Sequence, residues 1–150
     1  MTTVFALLIA VDPIGFGRVW SRRWIAAPIV TAVLLVATVL GRTTMDALDL
    51  SPEGFWIAAG IVLLVPALSR LVTSTTRDVA GPAAVLVAMA LATRDGRVPT
   101  AVGAVVAGAA VLLATWQPLP GRWATVAERV LGALMVVVAF DLVRDGVLAV

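Results

Sequence analysis

Apolar residues in this chain come in long runs, and polar residues are confined to short joints between them. Six runs stand out, over residues 3–20, 24–40, 55–72, 79–93, 98–116 and 125–143. A helix needs about 20 apolar residues, within a range of roughly 17–25, to cross a hydrocarbon core of about 30 Å. The runs come close to that length, so the pattern predicts an all-α polytopic bundle of about six transmembrane helices with little outside the bilayer.

The joints are polar and rich in turn formers: Ser21-Arg22-Arg23, residues 73–78, Arg94-Asp95-Gly96-Arg97 and residues 118–122. The longest, residues 41–54, holds Asp46, Asp49 and Glu53. Short joints make neighbouring spans antiparallel. Ser51-Pro52-Glu53 reads as a helix start, with Ser51 as N-cap, Pro52 at the first position and Glu53 favoured by the helix dipole. Valine is abundant, which in water would suggest strands. Inside a bilayer, however, every backbone polar group must be satisfied within the protein, which leaves helices or a closed barrel. Barrel strands alternate apolar and polar residues, and residues 29–40 do not.

Composition strengthens this reading. Of 150 residues, 61% are hydrophobic and 13% charged, against about 25% charged in an average soluble domain; mean hydropathy is +1.07. The net charge is +2, and all eleven basic residues are Arg, spread along the chain between apolar runs. That arrangement lacks the clustered basic face a nucleic-acid binder needs, so nucleic acid is not an expected partner. The chain contains no Cys, His, Lys or Tyr. Thiolate nucleophiles, Cys/His metal sites, Schiff bases and Ser-His-Asp triads are therefore excluded. With no Gly-Lys-Ser/Thr phosphate loop and one clearly deep carboxylate, no enzyme activity and no cofactor are expected. Residues 1–11 have no basic residue ahead of the apolar stretch, so the first segment is expected to remain in the mature protein.

Trp20 and Trp24 flank the first joint and Trp116 and Trp123 the fifth, where amphipathic rings favour the membrane interface; packing between helices is the alternative. Arg18, Arg22, Arg23, Arg70, Arg77, Arg122 and Arg129 lie at the odd-numbered joints, against Arg42, Arg94, Arg97 and Arg144 on the other side. Cytoplasmic loops carry the Arg excess, so both termini are expected to be extracytoplasmic.

Residues 1–75 laid over 76–150 show a weak internal likeness within a single transmembrane domain. Asp12-Pro13-Ile14-Gly15 in the first run matches Ala80-Gly81-Pro82-Ala83 in the fourth, and the segment from Gly60 to Ala67 matches that from Gly132 to Ala139. Three helices per half is an odd number, so two such halves enter the membrane in opposite senses. This is the inverted-repeat plan of many secondary transporters, in which Gly/Pro interruptions at matching positions point to the substrate site.

Asp12 is the most informative residue. A carboxylate midway along a span costs about 2.5–3.5 kcal/mol on insertion scales, and Pro13 removes a backbone donor and clashes with the preceding turn. The helix is expected to break around residues 11–15. An acid beside such a break can bind a cation, relay a proton or pair with an Arg; alternatively, Asp12 caps a helix that restarts at Pro13. Asp12, Pro13, Gly15, Gly81 and Pro82 are the candidate pathway residues. Glu128, Arg129 and Asp141 read as solvated interface residues, Asp141 and Arg144 as a helical pair, and Arg70 as a side chain snorkelling from the third helix. Gly103, Ala107, Gly108, Ala109 and Ala110 read as small residues that let helices approach.

Asp12-Pro13-Ile14-Gly15 resembles the Asn/Asp-Pro-Ile-Gly signature in the first helix of MarC-like membrane proteins, which are grouped with the LysE and TerC transporters. The segment from Phe55 to Leu64 resembles their third-helix motif, Ala80-Gly81-Pro82 the opening of their fourth helix, and Asp145-Gly146-Val147 their closing Asp-Gly-Ile. The chain departs from the pattern at Trp56, Ala59 and Ala83. The resemblance implies a six-helix bacterial inner-membrane protein of transporter-like architecture. The expected function is transport or export of a small solute or ion, the alternative being a non-transporting membrane subunit or assembly factor. The lipid bilayer and a small solute or ion are the expected partners, with a homodimer plausible because six short helices enclose a pathway with difficulty.

Overall fold

A computed structural model of the chain describes residues 3–12, 23–73, 80–116 and 121–149. It is all-helical, with α1 (Thr3–Val11), α2 (Arg23–Leu48), α3 (Pro52–Thr73), α4 (Ala80–Arg94), α5 (Arg97–Trp116) and α6 (Gly121–Ala149). No strand occurs among the described residues.

One helix ends where the sequence predicts and one differs from it. In the first run α1 spans Thr3–Val11 and Asp12 lies outside the helix, within the expected break at residues 11–15. At about 1.5 Å per residue, α1 rises about 13 Å, less than half the hydrocarbon thickness. The joint expected at residues 41–54 shrinks to Asp49, Leu50 and Ser51, because α2 continues through Gly41 to Leu48. Gly41 belongs to the helix because it faces α4: a Cβ there would lie 3.2 Å from the Met89 backbone. The helix stops at Asp49, which takes a left-handed φ of 52°, while the Leu50 amide donates to the Met45 carbonyl at 3.1 Å. That backbone bond is the Schellman closure of a helix C-terminus.

The start of α3 is as the sequence predicts. The Gly54 amide donates to Ser51 Oγ at 3.2 Å, and Glu53 lies in the first turn. In the joint between α4 and α5, Gly96 has φ +99°, a conformation open to glycine and strained for other residues.

Contacts between the helices fix their directions. Trp56 at the start of α3 donates from Nε1 to Thr93 Oγ1 at the end of α4, at 3.0 Å. Glycines along α3 and α6 meet in reverse order: Gly146 faces Glu53 and Ile57, Gly60 faces Ala139 and Val143, and Gly132 faces Ala67 and Arg70. The helices therefore alternate, with α1, α3 and α5 running one way and α2, α4 and α6 the other. The α3–α6 pair packs most extensively; α1 lies against α4 and α5, and α2 against the same two helices.

Side-chain size is distributed opposite to a soluble core. Buried positions are dominated by alanine, including Ala6, Ala10, Ala59, Ala67, Ala84, Ala88, Ala104, Ala107 and Ala139. Large apolar residues such as Val36, Ile61, Val65, Leu68, Val105, Leu113, Val137 and Phe140 point outward. In water such a surface would aggregate. In lipid it is the expected solvent face, because small residues let helices approach while bulky ones meet acyl chains. Segments of three helices, Ala27–Ala47, Pro52–Val72 and Arg97–Ala114, are long and apolar enough to cross a membrane, and Pro82–Arg94 is a shorter apolar segment. This is the fold of a helical membrane protein.

Candidate functional site

α1 ends at Val11. Asp12, the residue ahead of Pro13, is disfavoured in the helical region and lies outside the helix with φ 50°. Aspartate is among the few non-glycine residues that tolerate this left-handed region. The Asp12 amide donates back to the Ile9 carbonyl at 3.3 Å, closing the last turn.

The Asp12 side chain is only 1% exposed. Its Oδ2 accepts a hydrogen bond from Arg70 Nη2 near the end of α3, and the Arg70 side chain is itself only 7% exposed. Arg70 therefore does not snorkel to the surface as the sequence suggested. It turns inward because a buried acid attracts it more than water does at that depth, an unpaired buried charge being far costlier than a paired one. Gly132 makes room for it: a Cβ at that position would come within 3.1 Å of Arg70 Cβ and 3.2 Å of the Ala67 carbonyl.

The pair uses one arm of each group. Asp12 Oδ1 and Arg70 Nη1 are buried and accept or donate no hydrogen bond. Arginine and carboxylate commonly pair through two parallel bonds, so this contact is half-made, and each spare atom carries the desolvation cost of an unsatisfied polar group. Glu128, one helical turn before Gly132, is 3% exposed and not the solvated interface residue expected from sequence.

A second ion cluster occupies the other end of the bundle. Arg94 closes α4 and holds three carboxylates: its Nε lies 2.9 Å from Asp95 Oδ1, and its Nη1 lies 2.9 Å from Asp145 Oδ2 and 3.4 Å from Asp141 Oδ2. Asp141 thus pairs across helices with Arg94, in place of the expected partner Arg144. Thr3 Oγ1 donates to Asp95 Oδ2 at 2.6 Å, tying the start of α1 to this cluster. Burial raises the Asp95 carboxyl, but hydrogen bonds from Arg94 and Thr3 and the Arg94 charge outweigh it and hold the group below its ordinary value. α1 is therefore strung between the two clusters, with Thr3 at one and Asp12 at the other.

The other candidate residues are distributed as follows. Pro13 and Gly15 lie outside the described residues. Gly81 and Pro82 form the first turn of α4, and Pro82 is exposed. Since α4 runs opposite to α1 and ends beside Thr3, its opening turn faces the end of the bundle that holds Asp12 and Arg70. Of the small residues in α5, Gly103 lies where a Cβ would come within 3.3 Å of the Val4 backbone, Gly108 seats the Thr31 hydroxyl, and Ala107 is buried, whereas Ala109 is exposed. Arg70 is the residue of this candidate site that sequence reasoning left at the surface. The signal that finds it is electrostatic: a lone deep carboxylate requires a counter-charge, and Arg70 is a basic residue at the edge of an apolar span. No group of three or more metal-ligating side chains occurs among the described residues.

Comparison of the chain with protein-family models, with curated proteins and with solved structures returns no match.

Proposed function

We propose that the chain is a small bacterial inner-membrane transporter or exporter with its site at the Arg70 end of the bundle, where α1 breaks off and α4 opens. The observation that carries this reading is the buried, half-made Asp12–Arg70 pair. A buried ion pair is weak as a stabiliser, and ionisable residues deep in membrane proteins mark substrate and ion pathways.

Three further features support the reading. Exchanging the halves, so that α1, α2 and α3 trade places with α4, α5 and α6, preserves the main pairings: α3 with α6 and α2 with α5 map onto themselves, and α1–α5 maps onto α2–α4. The segment matched by sequence behaves reciprocally, with Gly60 against the Ala139 carbonyl and Gly132 against the Ala67 carbonyl. This is what a 3+3 inverted repeat requires. The MarC-like motifs also fall, in their described residues, at Asp12 just past α1, the start of α3, the opening of α4 and the end of α6. In this reading six segments cross or enter the bilayer, both termini are extracytoplasmic, and proton or ion coupling runs through Asp12.

A proteoliposome flux assay comparing the wild-type chain with Asp12→Asn tests the proposal. Transport that falls in the variant is the expected result; identical rates in both reject a coupling role for Asp12. The competing reading, a non-transporting membrane subunit, is favoured by a lateral apolar groove of about 380 Å³ lined by Ala32, Val33, Val36, Ala37, Leu40, Val85 and Met89. A copy or partner helix lying there would be displaced by Ala37→Trp without any change in flux.

A further inference from the structure

From the charge balance of the Asp12–Arg70 site we infer that its cargo is a small monovalent anion carried together with one proton, the two moving as an electroneutral pair. The inference rests on the transport reading above and names the substrate class.

The pair at rest is neutral: one carboxylate, one guanidinium. Both side chains are more than nine-tenths buried, so any bound state with net charge bears the cost of an uncompensated ion in a low-dielectric setting. A bare cation at Asp12 would leave the site at +1, and a bare anion at Arg70 would leave it at −1. One anion plus one proton leaves it neutral.

The spare atoms match that cargo. Arg70 Nη1 is a donor without an acceptor, and Asp12 Oδ1 is an acceptor without a donor. An anion supplies the acceptor that Nη1 lacks, and a proton settles on Oδ1. Protonation neutralises Asp12 and weakens its hold on Arg70 Nη2, which frees the whole guanidinium fork for the anion. Release reverses the steps: the proton leaves Oδ1 to water as the anion departs, and Asp12 recaptures Arg70. No charge remains behind in either state. Among the described residues, Glu128 is the other buried acid at this end; it has an interaction of its own, although its Oε1 accepts no hydrogen bond. The Arg94, Asp95, Asp141 and Asp145 cluster lies at the opposite end of α1.

The test uses the purified full chain in proteoliposomes enclosing a pH-sensitive dye, with chloride or nitrate as the probe. These anions do not cross lipid as neutral acids. An inward gradient of either should acidify the lumen at a rate that does not change when potassium and valinomycin clamp the membrane potential at different values. Asp12→Asn should abolish acidification, and any remaining anion flux should become potential-dependent. Arg70→Gln should lower anion-driven acidification by roughly 10-fold or more, the worth of a charged hydrogen bond. The double variant Asp12→Asn/Arg70→Gln removes both buried charges together; it should elute from size exclusion as the wild type does and move neither ion. Radioactive rubidium uptake that is lost in Asp12→Asn, without anion-driven acidification, would overturn the anion inference and leave transport standing. No movement of any of these ions would overturn both.

Discussion

Asp12 and Asp49 occupy the same local conformation for different reasons, and this makes them a controlled pair. Each stands just past the end of a helix with a left-handed φ, 50° and 52°, but Asp12 is buried against Arg70 while Asp49 is exposed. Asp49→Gly removes the left-handed strain and should leave stability unchanged or raise it by up to about 1 kcal/mol. Asp12→Gly relieves the same strain but strands a buried guanidinium, and should cost about 3–5 kcal/mol. Thermal loss of monodisperse protein in detergent measures both, and an Asp12→Gly variant as stable as Asp49→Gly would mean that Arg70 finds water.

The glycines of the α3–α6 seam are also graded. A Cβ at Gly60 would lie 2.7 Å from the Ala139 carbonyl and from Val143 Cγ2, whereas at Gly132 the nearest atoms are at 3.1 and 3.2 Å. Gly60→Ala should therefore cost more than Gly132→Ala, within the roughly 1–3 kcal/mol typical of overpacking. The same thermal assay ranks them, and the reverse order would show that the seam opens more easily at Gly60. The sequence marks both glycines as matching positions of the two halves, but the difference in room between them is set by the packing of α3 against α6.

Among the elements, α1 depends most on its ends. It is too short to cross a bilayer, and it is held by Thr3 to Asp95 at one end and by Asp12 to Arg70 at the other. The Asp95 tie depends on pH. Its carboxyl is held below the ordinary value of 3.8, so its contribution is fully present above that value and is lost as pH falls through the lower folded-state value. The detergent-solubilised protein should melt at progressively lower temperature as pH drops below about 4, and Asp95→Asn should flatten that slope. An unchanged slope would place the acid sensitivity elsewhere, at the carboxylates of α6. The start of α3 is a simpler case: Ser51→Ala should cost about 1 kcal/mol through loss of the N-cap.

The elements also mark where sequence is legible. α3, α4 and α5 match their apolar runs within about three residues, since run length and a cap suffice to define a helix in lipid. The end of α1 is readable from Asp12-Pro13. The extensions of α2 to Leu48 and of α6 to Gly121–Ala149 are not, because Arg42, Asp46, Arg122, Arg144 and Asp145 read as residues outside the spans when their helical surroundings are unknown.

For the whole molecule, the small-inside, large-outside arrangement predicts that the protein stays with membranes through alkaline carbonate and high salt and leaves only with detergent; release by carbonate would contradict a spanning bundle. Orientation is testable because the native chain has no cysteine. A cysteine introduced at Asp49, in the short joint between α2 and α3, should react with an impermeant maleimide from outside intact cells. Reaction only after lysis would invert the topology.

Sequence alone settles the solvent and the secondary structure. Runs of apolar residues with few charges can satisfy their backbones in hydrocarbon only as helices, and short joints between them enforce alternation. The partners of the charges belong to the tertiary structure. Asp12 and Arg70 are 58 residues apart, and Arg94 reaches Asp141 and Asp145 across 47 and 51. Electrostatic pairing depends on distance in space, which a one-dimensional pattern does not carry; it is set by where glycines and alanines let α1, α3, α4 and α6 draw together.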